Sequence, residues 1–115
     1  MKLTLLLTLL LNLGVGSAPL QIFNTSLTVT VRDDLGNTVE GASVKLFAKE
    51  EDYTKEINPV EEAVSDKKGI AKFKKLHPES YFILGRKGDK DNAGGGAKTG
   101  VLKKEHFNKV TIIIQ

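Results

Sequence analysis

Two histidines are the residues whose type most directly suggests metal or acid–base chemistry. The chain contains His77 and His106 and has no cysteine. A zinc site takes three or four nitrogen, sulfur or carboxylate ligands, and neither histidine has a second histidine or a glutamate at helical spacing. His77 stands beside Pro78 in a stretch that is typical of a turn. The sequence therefore predicts no catalytic residue, no metal site and no cofactor.

Residues 86–100, RKGDKDNAGGGAKTG, offer a second possible source of chemistry. Asp89, Asp91 and Asn92 carry oxygens that calcium prefers, but their spacing fits no calcium loop with a ligand at alternate positions and a closing glutamate. The three consecutive glycines that follow lack the Gly-Lys-Ser/Thr ending and the helix of a phosphate-binding loop. With almost no apolar residues, this segment is interpreted as a long mobile loop.

Lysines form two clusters that raise the question of a polyanionic partner. The chain has 17 basic and 14 acidic residues and a net charge of +3, which is weak for nucleic-acid binding. Lys72 and Lys74 alternate with Ala71 and Phe73, as they would on a strand with one solvated face. The charge pattern therefore predicts no nucleic-acid partner.

The N-terminal sequence MKLTLLLTLLLNLGVGSA has the layout of a secretory signal peptide. Its apolar run is shorter than the roughly 20 residues of a transmembrane helix. We expect a signal peptide over residues 1–18, a linker over 19–26 and one β-sandwich domain over 27–115. The protein is predicted to be secreted or periplasmic, with no stable membrane insertion after cleavage. Export without cysteines is more typical of a bacterial envelope protein than of a small animal secreted domain.

The remaining chain alternates apolar and polar residues, which predicts β-strands. Leu27, Val29 and Val31 would share one buried face, as would Ala42, Val44 and Leu46 on the next strand. Further strands are expected over residues 61–65, 70–74, 81–84 and 110–115, and Phe47, Phe73 and Phe82 are interpreted as core residues. Residues 49–60 are interpreted as a connection without a helix. The last strand is apolar on both faces, which is typical of a central strand and hazardous at an open edge.

Two acidic corners separate these strands. Asp33 and Asp66 can accept hydrogen bonds from their own backbone, and each is followed three residues later by a glycine. Gly36 and Gly69 are expected to take positive φ, and Gly41 to allow close approach of another segment. These five positions are predicted to be structural.

The order of strands and corners resembles the carboxypeptidase regulatory-like domain. The resemblance covers residues 27–84, and the final strand completes the domain. It implies an all-β fold, a seven-stranded Greek-key β-sandwich of the transthyretin-like or immunoglobulin-like kind. The matching residues are Asp33, Gly36, Val39, Gly41, Ala42, Val44, Leu46, Ser65, Asp66, Gly69, Ala71, Phe73, Leu76 and Tyr81.

The residues that carry the activities of similar sandwiches are absent from this sequence. The ureide-hydrolysing relatives end in Tyr-Arg-Gly-Ser, whereas this chain ends in Ile-Ile-Ile-Gln. Collagen-adhesin B-type repeats, which are similar in their turns, often carry a Lys-Asn isopeptide bond. Thr28, Thr30 and Arg32 stand where that lysine would be, and arginine stays protonated. Asn108 is therefore interpreted as a turn residue.

The sequence favours an exported, non-catalytic β-sandwich that binds protein or cell-envelope partners. A carbohydrate-binding module is one alternative, with Tyr53 and Phe107 as candidate contacts because both lie in loop-like sequence contexts. The other alternative is a structural or adhesive subunit that assembles by strand exchange through residues 110–114.

Overall fold

Seven strands and one short helix make up the part of the chain, residues 24–115, that a computed structural model describes. The predicted signal peptide and most of the predicted linker lie outside these residues. In chain order the elements are β1 (Ser26–Asp33), β2 (Ser43–Phe47), α1 (Glu50–Lys55), β3 (Glu61–Val64), β4 (Ile70–Phe73), β5 (Phe82–Lys87), β6 (Lys90–Asp91) and β7 (Phe107–Ile114).

The strands form two sheets that pack face to face. One sheet has the order β4-β1-β7 and the other the order β3-β2-β5-β6. β1 is the central strand of the smaller sheet, antiparallel to β4 and parallel to β7 over its whole length. The strand pairs of the larger sheet are antiparallel. The predicted all-β, seven-stranded sandwich is confirmed.

The core lies between the inner faces of the two sheets. Side chains of Leu27, Val29 and Val31 on β1 are fully buried, and they face Val44 and Leu46 on β2 in the same cluster. This is the alternation expected of strands with one apolar face. The last strand contributes Ile112 and Ile114 to this core. The even-numbered residues of β1 have their side chains on the outer face of the sheet, opposite to the buried odd-numbered ones.

The two acidic corners are closed by side-chain hydrogen bonds. Asp33 Oδ1 accepts the backbone N–H of Leu35 at 3.0 Å and of Asn37 at 2.9 Å. Asp66 Oδ1 likewise accepts the N–H of Lys68 at 2.8 Å and of Ile70 at 3.0 Å. Because these bonds stabilise the ionised form, they hold the pKa of both carboxyls below its usual range.

Glycines complete both corners and the start of the second strand pair. Gly36 and Gly69 have φ values of 89° and 78°, a backbone region that other residues rarely adopt. At Gly69 a Cβ would lie 2.9 Å from the backbone oxygen of Val31, so the position is also sterically closed. Gly41 has φ 79°, and the group that approaches it is the ammonium end of Lys87.

The interpretation of residues 49–60 as a connection without a helix is wrong. α1 begins after Lys49 with three acidic residues in its first turn and ends at Glu56, whose φ of 55° is left-handed. The charge distribution suits the helix dipole. The helix covers the outer face of the larger sheet, where Tyr53 packs on Phe47 in a second, smaller apolar cluster.

The expectation of a long mobile loop over residues 86–100 is also corrected at its start. Arg86 and Lys87 belong to β5, and β6 pairs antiparallel with them. The Asn92 side chain accepts the N–H of Gly85 at 2.8 Å and donates to the carbonyl of Ile83 at 3.0 Å. These side-chain bonds replace ladder bonds where β6 ends, and so they anchor the segment to β5.

Candidate functional site

β7 lies at the edge of the three-stranded sheet. One side of the strand pairs with β1 from Ser26 to Asp33. His106 directs its carbonyl toward β1, where it accepts the N–H of Ser26 at 3.1 Å. Gln115 points the opposite way and exchanges backbone bonds of 3.1 and 3.3 Å with Asp91. The direction of the backbone N–H and C=O groups alternates from one residue to the next along a strand. The N–H and C=O groups of the odd-numbered residues of β7 therefore point away from β1.

Both ends of this open side are defined by the structure. At the C-terminal end, the backbone N–H and C=O groups of Gln115 are hydrogen-bonded to Asp91. At the N-terminal end, Glu105 has φ 58°, so the chain turns immediately before the strand begins at Phe107. Within residues 24–115, no strand pairs with the stretch between these two points. We call residues 107–113 the free edge, which spans about 20 Å.

The free edge displays apolar side chains on the outer face of the sheet. Phe107 is 79% exposed and Ile113 is 46% exposed, with Lys109 and Thr111 between them on the same face. The inward positions 108, 110 and 112 carry no charge, and the stretch contains no proline. Inward charges and prolines are the usual devices that protect an edge strand from pairing. The exposed Lys109 is the one charged residue of this stretch.

A shallow groove of about 480 Å³ lies beside the N-terminal end of the free edge. It runs across the outer face of the smaller sheet, where the strand register places Ser26 next to Phe107 and Thr28 between Lys109 and Lys72. The groove therefore combines one exposed aromatic ring with hydroxyl and ammonium groups. Its lining residues are Asn24, Ser26, Thr28, Lys72, Phe73, Lys74, Glu105 and Phe107.

The two aromatic residues singled out from the sequence lie on opposite outer faces of the sandwich. Tyr53 is 6% exposed and stacks on Phe82 at a centroid distance of 5.5 Å, with Phe47 edge-on at 5.9 Å. The sequence suggested a loop-like, accessible Tyr53, and the structure corrects that exposure because α1 presses the ring onto the larger sheet. Phe107 is the first residue of β7 rather than a loop residue, and it is exposed.

The polar groups of the glycine-containing segment are engaged with protein partners. Arg86 Nη1 lies 2.8 Å from Glu56 Oε1, and Arg86 Nη2 lies 3.3 Å from Asp91 Oδ2. The hydrogen bond from Arg86 lowers the pKa of Glu56, and Glu56 in turn raises the pKa of Arg86. Asp91 Oδ1 accepts the N–H of Ala93 at 3.0 Å. No cluster of potential metal ligands occurs among residues 24–115.

The side chains of Asn108 and Tyr81 make hydrogen bonds with the backbone. Asn108 Nδ2 donates to the carbonyl of Ser26 at 3.0 Å, and its Oδ1 accepts the N–H of Lys103 at 2.9 Å. The side chain thus ties the turn before β7 to the start of β1. Tyr81 Oη donates to the carbonyl of His77 and accepts its N–H, both at 3.1 Å. Burial raises the pKa of Tyr81.

The described residues contain no helix that is long and apolar enough to cross a membrane. The sequence expectation that concerns membranes, a cleaved signal peptide, lies outside the described residues and stays a prediction.

Comparison with known proteins identifies similar folds. No protein-family model and no curated protein matches this sequence. Among solved structures, the chain is similar to the TIE protein of Bacillus anthracis, with a TM-score of 0.57, 15% identity, and coverage of 79% of this chain and 17% of that one. It is similar to BcpA, the major pilin subunit of Bacillus cereus, with a TM-score of 0.51, 20% identity, and coverage of 80% and 30%.

A third similar structure is the group B streptococcus pilus 2b backbone protein, with a TM-score of 0.52, 14% identity, and coverage of 79% of this chain and 40% of that one. The chain therefore spans less than half the length of each of these three proteins. At these identities the similarity concerns the fold alone, a β-sandwich.

Proposed function

We propose that this chain is an exported, non-catalytic β-sandwich module that joins other protein chains by accepting a strand on its free edge. The observation that carries the proposal is the open side of β7, where four N–H and four C=O groups, those of residues 107, 109, 111 and 113, have no strand partner among residues 24–115. An extended segment that added to this edge would satisfy them, as in other complexes formed by strand addition.

Side chains on the free edge would give such binding its selectivity. Backbone hydrogen bonds supply affinity in strand addition, while alternate side chains distinguish one partner from another. Phe107 and Ile113 are the exposed apolar positions, at opposite ends of the free edge. A partner strand with apolar residues spaced to meet both would bury them.

A place in the cell envelope is part of the proposal. The N-terminal sequence supports export, and two of the similar structures are a major pilin subunit and a pilus backbone protein. We therefore assign the module a structural or adhesive role at the cell surface or in the periplasm. Assignment to the carboxypeptidase regulatory-like family is also proposed, supported by the corners at Asp33 and Asp66.

The test is a search for peptides that depend on the free edge. Random nine-residue peptides would be displayed and selected on the wild-type chain, then measured on a Thr111→Pro variant. Proline at residue 111 removes an N–H that faces the open side, so it blocks strand addition without taking a bond from β1. Thr111→Val is the matched control, because it retains the N–H. Circular dichroism and melting curves would verify that both variants fold.

We expect selected peptides to bind the wild type and Thr111→Val alike and to bind Thr111→Pro at least tenfold more weakly, about 1.4 kcal/mol. If the selection returns no binder, or if the selected peptides bind Thr111→Pro as tightly as the wild type, the free edge is not the binding surface and the proposal fails.

Carbohydrate binding is a second candidate, favoured by the groove beside Phe107. An exposed aromatic ring next to Ser26 and Thr28 offers stacking and hydrogen bonding, and Lys72 and Lys74 favour acidic sugars. Binding of neutral and uronic-acid polysaccharides would be compared for the wild type, Phe107→Ala, and Leu35→Ala as an exposed apolar control.

Loss of sugar binding in Phe107→Ala alone would support the groove. Equal binding by all three proteins would rule it out. Thr111→Pro separates this candidate from the first, since Thr111 does not line the groove.

A further inference from the structure

We infer that the free edge accepts a second copy of itself, in an antiparallel pair whose twofold axis passes through Val110. This inference rests on the proposed function and names the partner. It would extend the smaller sheet of each copy into one continuous sheet of six strands, twice the three strands present in one chain.

Backbone geometry restricts where the axis can lie. In an antiparallel pair, residues whose N–H and C=O groups face the partner pair with residues that do the same. On β7 these are the odd-numbered positions, as the bonds of His106 and Gln115 show. Two odd numbers have an even sum, so the axis falls on a residue and never between two residues.

An axis at Val110 uses the whole free edge. Phe107 then lies across from the partner's Ile113, and Lys109 lies across from the partner's Thr111. The two exposed apolar residues of the edge are each three positions from Val110, so each covers the other copy's exposed side chain. On the inner face the two copies of Val110, which is only partly buried in one chain, meet each other.

Neighbouring axes are disfavoured by specific residues. An axis at Lys109 sets two ammonium groups directly opposite each other, a destabilising arrangement. It also pairs Ile113 with the partner's Glu105, where the chain turns. An axis at Thr111 places Phe107 against the partner's Gln115, whose backbone groups are already bonded to Asp91.

The turn at Glu105 sets the end of the pair. With the axis at Val110, Glu105 would lie across from the partner's Gln115, and its φ of 58° ends the extended strand there, so pairing stops short of the partner's Asp91–Gln115 bonds. The contact is only one strand wide. It therefore belongs to the weak, transient class of interfaces, and it forms at high protein concentration.

Two substitutions at one residue test both the dimer and its register. Thr111→Glu places a carboxylate opposite the partner's Lys109 twice per dimer, whereas Thr111→Lys places an ammonium there. Residue 111 is exposed, so either side chain can extend into solvent in the monomer. The full chain would be expressed, and the protein would be purified with whatever N-terminus the host leaves. Sedimentation equilibrium would then be measured at protein concentrations up to about 1 mM.

We expect the wild type to show a monomer–dimer equilibrium. Thr111→Glu should tighten the dimer by about two- to thirtyfold, because each opposite-charge pair across strands contributes modestly, and Thr111→Lys should weaken it by a similar factor. Salt should reduce the difference between the variants. An axis at Thr111 predicts the reverse for glutamate, since two carboxylates would then face each other.

Failure of this inference can be distinguished from failure of the proposed function. If the wild type and Thr111→Glu both remain monomeric at about 1 mM, or if the two variants shift in the same direction, the self-pairing is wrong. Peptides that bind in an edge-dependent manner would still support the proposed function in that case. A dimer that persists unchanged in Thr111→Pro would overturn the inference, because it would form elsewhere on the surface.

Discussion

Replacing Gly85 by alanine tests how closely β5 packs against β7. A Cβ at this buried position would lie 2.5 Å from Ile112 Cδ1 and 3.4 Å from Ile114 Cγ2. Overpacking of this kind costs about 1–3 kcal/mol. The backbone of Gly85 is not left-handed, so alanine would also recover about 0.4–1 kcal/mol by restricting the unfolded chain. At the middle of both ranges the expected net loss is about 1.3 kcal/mol.

A double-mutant cycle identifies the atom responsible. Ile112→Val removes Cδ1, the atom that the new methyl group would meet, and it should cost about 0.5–1.5 kcal/mol in the wild type. In the Gly85→Ala background the same change should be neutral or stabilising, which gives a coupling energy of at least about 0.5 kcal/mol. Urea unfolding followed by circular dichroism would measure all four proteins.

Gly100→Ala is the matched control, because a Cβ there meets no atom within 4 Å. It should leave stability unchanged or raise it by up to about 1 kcal/mol. If Gly85→Ala is as stable as the wild type, or if its effect simply adds to that of Ile112→Val, the described contact between the two sheets is incorrect.

Three further residues make contacts that substitutions can test. Ser65→Ala should cost about 1–3 kcal/mol in urea unfolding, since the buried hydroxyl accepts the N–H of Ala42 at 2.8 Å and donates to the carbonyl of Val39 at 2.7 Å; an unchanged midpoint would contradict this. The lowered pKa of Asp66 lies below that of the unfolded chain, about 3.9, so its stabilisation is present above that pH and is lost as the pH falls through the folded value. Melting curves from neutral pH to about pH 2 should therefore show a flatter acid dependence for Asp66→Asn than for the wild type, and parallel curves would refute the reasoning. Tyr53 Oη donates to the carbonyl of Asn92 at 3.3 Å and accepts the N–H of Gly96 at 3.2 Å. Tyr53→Phe should therefore cost about 0.5–1.5 kcal/mol and Tyr53→Ala about 3–5 kcal/mol, and equal losses would show that the ring contributes nothing beyond its hydroxyl.

The features that followed from the sequence are those fixed by neighbouring residues. Alternation placed Leu27, Val29 and Val31 in the core, because a strand with one buried face imposes that period. The acidic corners also depend on bonds within four residues of chain. The strand expected over residues 110–115 begins earlier, at Phe107, because its pairing with β1 extends to Ser26.

The features that the sequence did not reveal depend on distant contacts. α1 has six residues, too few for a helical period to emerge, and its formation follows from Tyr53 packing on Phe47. For the same reason Tyr53 and Phe107 could not be told apart by composition. The edge position of β7 is a property of topology, and an apolar strand with this sequence is more often central.

The parallel pairing of β1 and β7 has a mechanical consequence. Tension applied at the N-terminal end of β1 and the C-terminal end of β7 would act at opposite ends of one ladder, which runs from Ser26 beside Phe107 to Asp33 beside Ile114. The two strands would then be loaded in shear, so that the hydrogen bonds between them share the force and must fail together. The arrangement resists pulling along the chain far better than an antiparallel hairpin, which opens one bond at a time.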